Sequence, residues 1–132
     1  RNPYRSVCTI SSHDMPTLRQ WWDEDLERTQ DYYNSMLYRG GAAPHPLPGW
    51  LARDIISRHL TSPSMLCIFS IQDWLSIDDN LRLPDQNAER INIPANPKHY
   101  WRYRMHLNIE DLMANDSFVA NVTELISQSG RK

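Results

Sequence analysis

Long apolar runs are missing from this 132-residue sequence. The longest uninterrupted one, Met65 to Phe69, is far shorter than the ~20 residues that span a bilayer, which excludes a helical membrane span. A net charge of consequence is missing too. Fourteen Lys and Arg against sixteen Asp and Glu leave a formal −2, without the basic excess that a phosphate-backbone binder carries, so nucleic acid is not expected as a partner. With only two cysteines, Cys8 and Cys67, each inside an apolar strand-like run, sulfur supplies neither a disulfide framework nor a metal cluster. Two buried free thiols in a reducing, cytoplasmic compartment are the simpler reading. His45, His59, His99 and His106 lack the spacing and company of a zinc site. The segment Arg1 to Arg5 has neither an initiator Met nor the apolar stretch of a signal peptide, and reads as a start inside a longer chain.

What is present suits one modest core: 40% hydrophobic and 23% charged residues are ordinary for a globular domain. Five Trp and six Tyr against two Phe favour rings with a polar handle, which pack in cores by default and also stack on sugars or bases. Ser6 to Ile10 is apolar on both alternations and predicts a short strand buried on both faces. After it, Leu18, Trp21, Trp22, Leu26, Tyr33, Met36 and Leu37 follow helical spacing, with Pro16 in the tolerant first turn and Gly40-Gly41 as the stop. Its charges, Asp23, Glu24, Asp25 and Glu27, read as a solvated face. Pro44, Pro46 and Pro48 make a stiff connection to a second helix from Trp50 to Leu60, and Ser64 to Ser70 is a second buried strand. Two apolar strands with a helical crossover indicate parallel pairing in an α/β sheet.

Ile71 to Leu75 predicts a short helical turn and Ser76 to Pro97 an ordered loop. Tyr100 to Met105 alternates aromatic and basic residues, in which Trp101, Arg102 and Arg104 read as a buried stack and ion-pair set sooner than as a sugar platform. Asn108, with Asp111 three residues on, opens a final helical region that the Asn115-Asp116-Ser117 step divides in two, with a frayed tail from Ser127.

The chemistry-bearing candidate is His13-Asp14, directly after the first strand, where α/β sheets place their active-site loops. Alternatively Asp14 caps the next helix in a structural turn. The longer string from Ser6 to Trp22, with its Thr17-Leu18 and Trp21-Trp22, resembles the last active-site segment of the amylomaltases, the 4-α-glucanotransferases of glycoside hydrolase family 77. Ile68 to Asp73 is similar to that family's last barrel strand with its Gln-Asp exit, Arg90-Ile91-Asn92-Ile93-Pro94 to its Arg-x-Asn-x-Pro loop, and Trp101-Arg102-Tyr103-Arg104 to its Trp-Arg element. The four blocks stand in the family's order and cover nearly the whole chain.

The resemblance implies that residues 1–132 are the C-terminal portion of a (β/α)8 barrel, carrying its last two parallel strands with their helices and no separate second domain. It implies a retaining transfer of α-1,4-glucan segments between maltodextrin, starch or glycogen-like donors and glucose or glucan acceptors. Of the three carboxylates of that reaction only the transition-state stabiliser maps here, onto Asp14, with His13 holding a neighbouring sugar hydroxyl. Asn92 is read as substrate-binding, since its loop with Pro94 follows the last barrel strand, with a rigid structural loop as the equal alternative. The nucleophile and the acid/base would lie upstream, in the remainder of the barrel, and the fragment alone would be inactive. No metal or organic cofactor is implied. Two rival readings remain: a non-catalytic α/β module that binds a protein or glycan through Tyr100 to Tyr103, and a metal-dependent phosphohydrolase built on His13-Asp14, for which further ligands are lacking.

Overall fold

Two short parallel strands organise the chain, and the helices leave from their ends. In the computed structural model, which describes residues 2–131, β1 (Val7–Cys8) pairs with β2 (Leu66–Cys67), Val7 opposite Leu66 and Cys8 opposite Cys67. Parallel neighbours need a crossover. Here it consists of α1 (Leu18–Glu24), α2 (Leu26–Ser35) and α3 (Gly49–Leu60). The predicted α/β pairing is present, but burial on both faces is not: Cys8 is buried, while Val7, Leu66 and Ile68 are about half exposed. Strand side chains alternate between faces. The helices cover the cysteine face, and no third strand joins the pair among the described residues.

The first predicted helix is broken at Asp25. Its extended backbone (φ −142°, ψ 100°) ends α1, and its carboxylate accepts the Arg28 N–H to start α2. The Trp22 carbonyl near the break accepts from the Thr29 hydroxyl at 2.7 Å. Pro16 stays outside α1, because Thr17 is the cap, in a reciprocal box with Gln20. Tyr38 (φ 55°) makes a left-handed turn ahead of Gly41 (φ 81°). The acidic face is only partly solvated: Asp23 accepts from Gln86 and lies 2.6 Å from His45.

On α3, Leu51, Ala52, Ile55, Ile56 and Leu60 are all buried, the stripe that a helix turns to its core. Gly49 is required where α3 begins, since a Cβ there would lie 2.6 Å from the Ile77 carbonyl oxygen. Trp22 has no exposed surface; its indole N–H donates to the Pro44 carbonyl at 2.8 Å, and Tyr32 and Tyr33 meet it edge-on.

After β2 come α4 (Ile71–Leu75), a 3-10 turn (Gln86–Glu89), α5 (Ile109–Ala114) and α6 (Asp116–Gln128). Asn108 caps α5, and Asn115 both ends α5 and caps α6, the division read from the sequence. The tail is tied down instead of frayed. Arg131 donates to the carbonyls of Leu60, Ser62, Ser64 and Met65, clasping the end of α6 onto the α3–β2 turn. Among the described residues no helix is long and apolar enough to cross a membrane.

Candidate active site

From the carboxyl end of β1 the chain runs into a tight turn, with the Met15 N–H donating to the Ser12 carbonyl at 3.1 Å. The turn leaves the side chains of His13 and Asp14 about half exposed, with His13 Nε2 3.2 Å from Asp14 Oδ2. Asn92 arrives from a loop 78 positions away: its amide donates to Asp14 Oδ1 at 2.7 Å, and its backbone N–H donates to the His13 carbonyl at 3.1 Å. All three site residues read from the sequence therefore meet in one cluster. Asp14 caps no helix, because Thr17 holds that place; within the turn its carboxylate instead receives the Asn92 amide.

Beneath the cluster lies a buried polar scaffold that the motif reading did not assign. Ser70 caps α4, whose Asp73 is fully buried. Asp73 Oδ2 accepts from the Ser11 hydroxyl at 2.5 Å, and Oδ1 from the Leu18 N–H at 2.9 Å. One carboxylate at the exit of β2 thus fixes both ends of the segment that presents His13 and Asp14. Its neighbour Gln72 donates to the Glu89 carbonyl oxygen at 3.2 Å, and the Glu89 carboxylate pairs with Arg19 at 2.7 Å, both side chains almost wholly buried. Arg19 also donates to the Leu83 carbonyl. These bonds hold the 3-10 turn from which the Asn92 loop departs. The sequence signal for this scaffold is a Gln-Asp pair directly after an apolar strand run.

Burial pushes the Asp73 carboxyl above its usual range, against the donors from Ser11 and Leu18, and burial likewise raises Glu89 despite Arg19. Between about pH 4 and the raised value, the folded chain keeps a proton on Asp73 that the unfolded chain has released. Asp73's contribution to stability therefore falls as pH rises through that window. An Asp73→Asn variant, which does not titrate, is expected to gain in urea midpoint relative to the parent as pH climbs from 4 to 7. A constant difference between the two would contradict the shift.

The aromatic and basic segment departs from its predicted burial. It carries no helix or strand and runs across the surface, leaving Trp101 63% exposed, with its ring centroid 5.2 Å from that of His13. Arg102 lies over the exposed Tyr100 ring. Among the described residues, no group of three or more His, Cys, Asp or Glu is placed to hold a metal ion.

A parallel strand pair with a helical crossover, bearing a polar cluster at its carboxyl edge, defines a piece of an α/β fold of the type that carries its chemistry on strand-end loops. The chain belongs to the 4-alpha-glucanotransferases of glycoside hydrolase family 77, whose family model matches residues 1–109. It is 38% identical over 128 residues to the 4-alpha-glucanotransferase DPE2 of Oryza sativa subsp. japonica, covering 97% of this chain and 14% of that protein. It is 27% identical over 126 residues to the 4-alpha-glucanotransferase of Chlamydia caviae, covering 93% of this chain and 23% of that protein. The chain thus spans less than a quarter of the length of either relative. Its fold matches part of the amylomaltase from Streptococcus agalactiae in complex with acarbose, with a TM-score of 0.71 at 17% identity, over 98% of this chain and 23% of that one.

Proposed function

We propose that residues 1–132 are the closing portion of a (β/α)8 catalytic barrel, with no separate second domain, and that the barrel transfers α-1,4-glucan segments between malto-oligosaccharide, starch or glycogen-like donors and glucose or glucan acceptors. The observation that carries this reading is the placement of Asp14. It stands half exposed at the carboxyl edge of the strand pair, with His13 and Asn92 against its two oxygens. A carboxylate offers about four lone-pair positions, so each oxygen keeps room for a further donor. The 2- and 3-hydroxyls of a glucosyl ring would supply those donors, with His13 binding a neighbouring hydroxyl and Asn92 holding the carboxylate from the opposite side.

In a retaining transfer, one carboxylate attacks the anomeric carbon while a carboxylic acid protonates the departing oxygen, through an oxocarbenium-like transition state. Those two groups lie, in this reading, on the remainder of the barrel. Asp14 forms no covalent bond; it strengthens its hydroxyl contacts as the ring distorts and positive charge develops. An acceptor hydroxyl then attacks the glycosyl intermediate and passes its proton to the acid/base group. The fold shared with an amylomaltase in complex with acarbose supports a glucan ligand, and no metal or organic cofactor enters the reaction. Two free cysteines fit a reducing cytoplasmic compartment.

The test is an assay of maltotriose disproportionation by the full-length protein that carries this chain, beside the purified 132-residue chain. The full-length protein is expected to release glucose and build longer maltodextrins, and the isolated chain to do neither. Glucose release by the isolated chain would mean that the missing carboxylates are not missing. Absence of transfer by the full-length protein would remove the reading altogether.

A further inference from the structure

We propose that Trp101 is a stacking platform for a glucosyl ring of the bound glucan, next to the unit held by Asp14; this rests on the sugar-binding reading of the Asp14 cluster. The other four tryptophans have structural employment. Trp22 is buried with its N–H bonded to Pro44, Trp21 lies under the Arg28 guanidinium at 4.3 Å, Trp50, itself 52% exposed, lies under that of Arg39 at 4.9 Å and away from the Asp14 cluster's ring contacts, and Trp74 packs edge-on against Phe69 at 5.3 Å. Trp101 has a site residue as its ring partner, His13, at 5.2 Å and an interplanar angle of 42°. The tilt means that imidazole and indole do not cover each other face to face, and 63% of Trp101 remains open.

A single exposed aromatic is ordinary on a protein surface. This one stands beside a carboxylate, an imidazole and an amide that already converge. A pyranose ring has an apolar C–H face and a rim of hydroxyls, and its recognition calls for that combination: a flat apolar surface with a few placed polar groups at its edge. Asp14, His13 and Asn92 supply the edge, and the open indole supplies the surface. Because the ring partner of the indole is His13 and the reacting ring is assigned to Asp14, the ring it would hold is taken to be a neighbour of the reacting one. Trp101 would therefore contribute to holding the glucan in ground state and transition state alike.

Uniform binding of that kind appears in KM and leaves kcat in place. In the full-length protein, Trp101→Ala is expected to raise the KM for maltotriose about tenfold, equivalent to about 1.4 kcal/mol, with kcat kept within about threefold. Trp101→Phe, which preserves a flat ring, is expected to recover most of the affinity. An unchanged KM in Trp101→Ala would overturn the proposal. So would a fall in kcat at constant KM, which would mean that the indole serves only to hold His13. Asp14→Asn, measured in parallel, separates this inference from the reading it rests on. If that variant keeps its kcat while Trp101→Ala loses affinity, the catalytic assignment of Asp14 fails and the glucan platform stands.

Discussion

Replacing Asp14 by Asn in the full-length protein is expected to lower glucan transfer by roughly a hundredfold or more. The size of the effect follows from what the carboxylate offers. Hydrogen bonds involving a charged group are worth about 1.5 to 3 kcal/mol each, and the loss of two from the transition state corresponds to about two to four decades in rate. Asn cannot take over the role by shape alone. Its oxygen can still accept from the Asn92 amide at the position of Oδ1, but its nitrogen then faces the place where Oδ2 now stands 3.2 Å from His13. A donor there meets sugar hydroxyls without a negative charge to oppose the charge developing on the ring. Asp14 is half exposed and caps no helix, so the folded state should lose little, about 0.5 kcal/mol at most. Unchanged urea midpoint with lost transfer is the expected pair of results. Near-normal disproportionation of maltotriose by the variant would sink the assignment.

Trp22→Ala is expected to have the largest effect on stability, a loss of about 3 to 5 kcal/mol measured as a shift in urea midpoint. That is a large share of the 5 to 15 kcal/mol that typically separates folded from unfolded protein. The side chain has no exposed surface, so its removal leaves a cavity lined by Tyr32 and Tyr33, which now meet it edge-on. It also leaves the Pro44 carbonyl, its partner at 2.8 Å, without a donor, a further cost if water cannot reach that oxygen. The effect would spread to the proline-bearing connection before α3, which Trp22 anchors. A loss below about 1 kcal/mol would show that the site collapses without cost and that Trp22 is not the centre of the core.

The features that were legible in the sequence are those written in local periodicity or in chain order. Leu51 to Leu60 repeats at helical spacing and forms α3; the two apolar runs around Cys8 and Cys67 pair in parallel; Asn115 divides the last helical region. The His13-Asp14 turn and the Asn92 loop were visible as motifs, and the fold brings them to within 2.7 Å. The break at Asp25, a residue read only as part of the charged face, escaped notice because the apolar stripe from Trp21 to Leu26 passes through it without a gap. The break is made by a short polar side chain competing for backbone hydrogen bonds, which periodicity does not register. Arg131 escaped because its partners are backbone carbonyls about 70 positions earlier, and backbone acceptors carry no sequence signature. Trp101 was misplaced for a related reason: an aromatic segment looks the same in a sequence whether its rings are buried or laid on the surface.

Asp73 changes how the His13-Asp14 turn should be regarded as a part. The turn grows from β1, yet the carboxylate that grips it at Ser11 and Leu18 belongs to the helix after β2. Its address is therefore written on the neighbouring strand. Transplanting residues 9–17 alone onto another α/β scaffold would carry the functional groups without their coordinates; the smallest portable unit is the turn together with the Ser70-to-Asp73 corner that grips it.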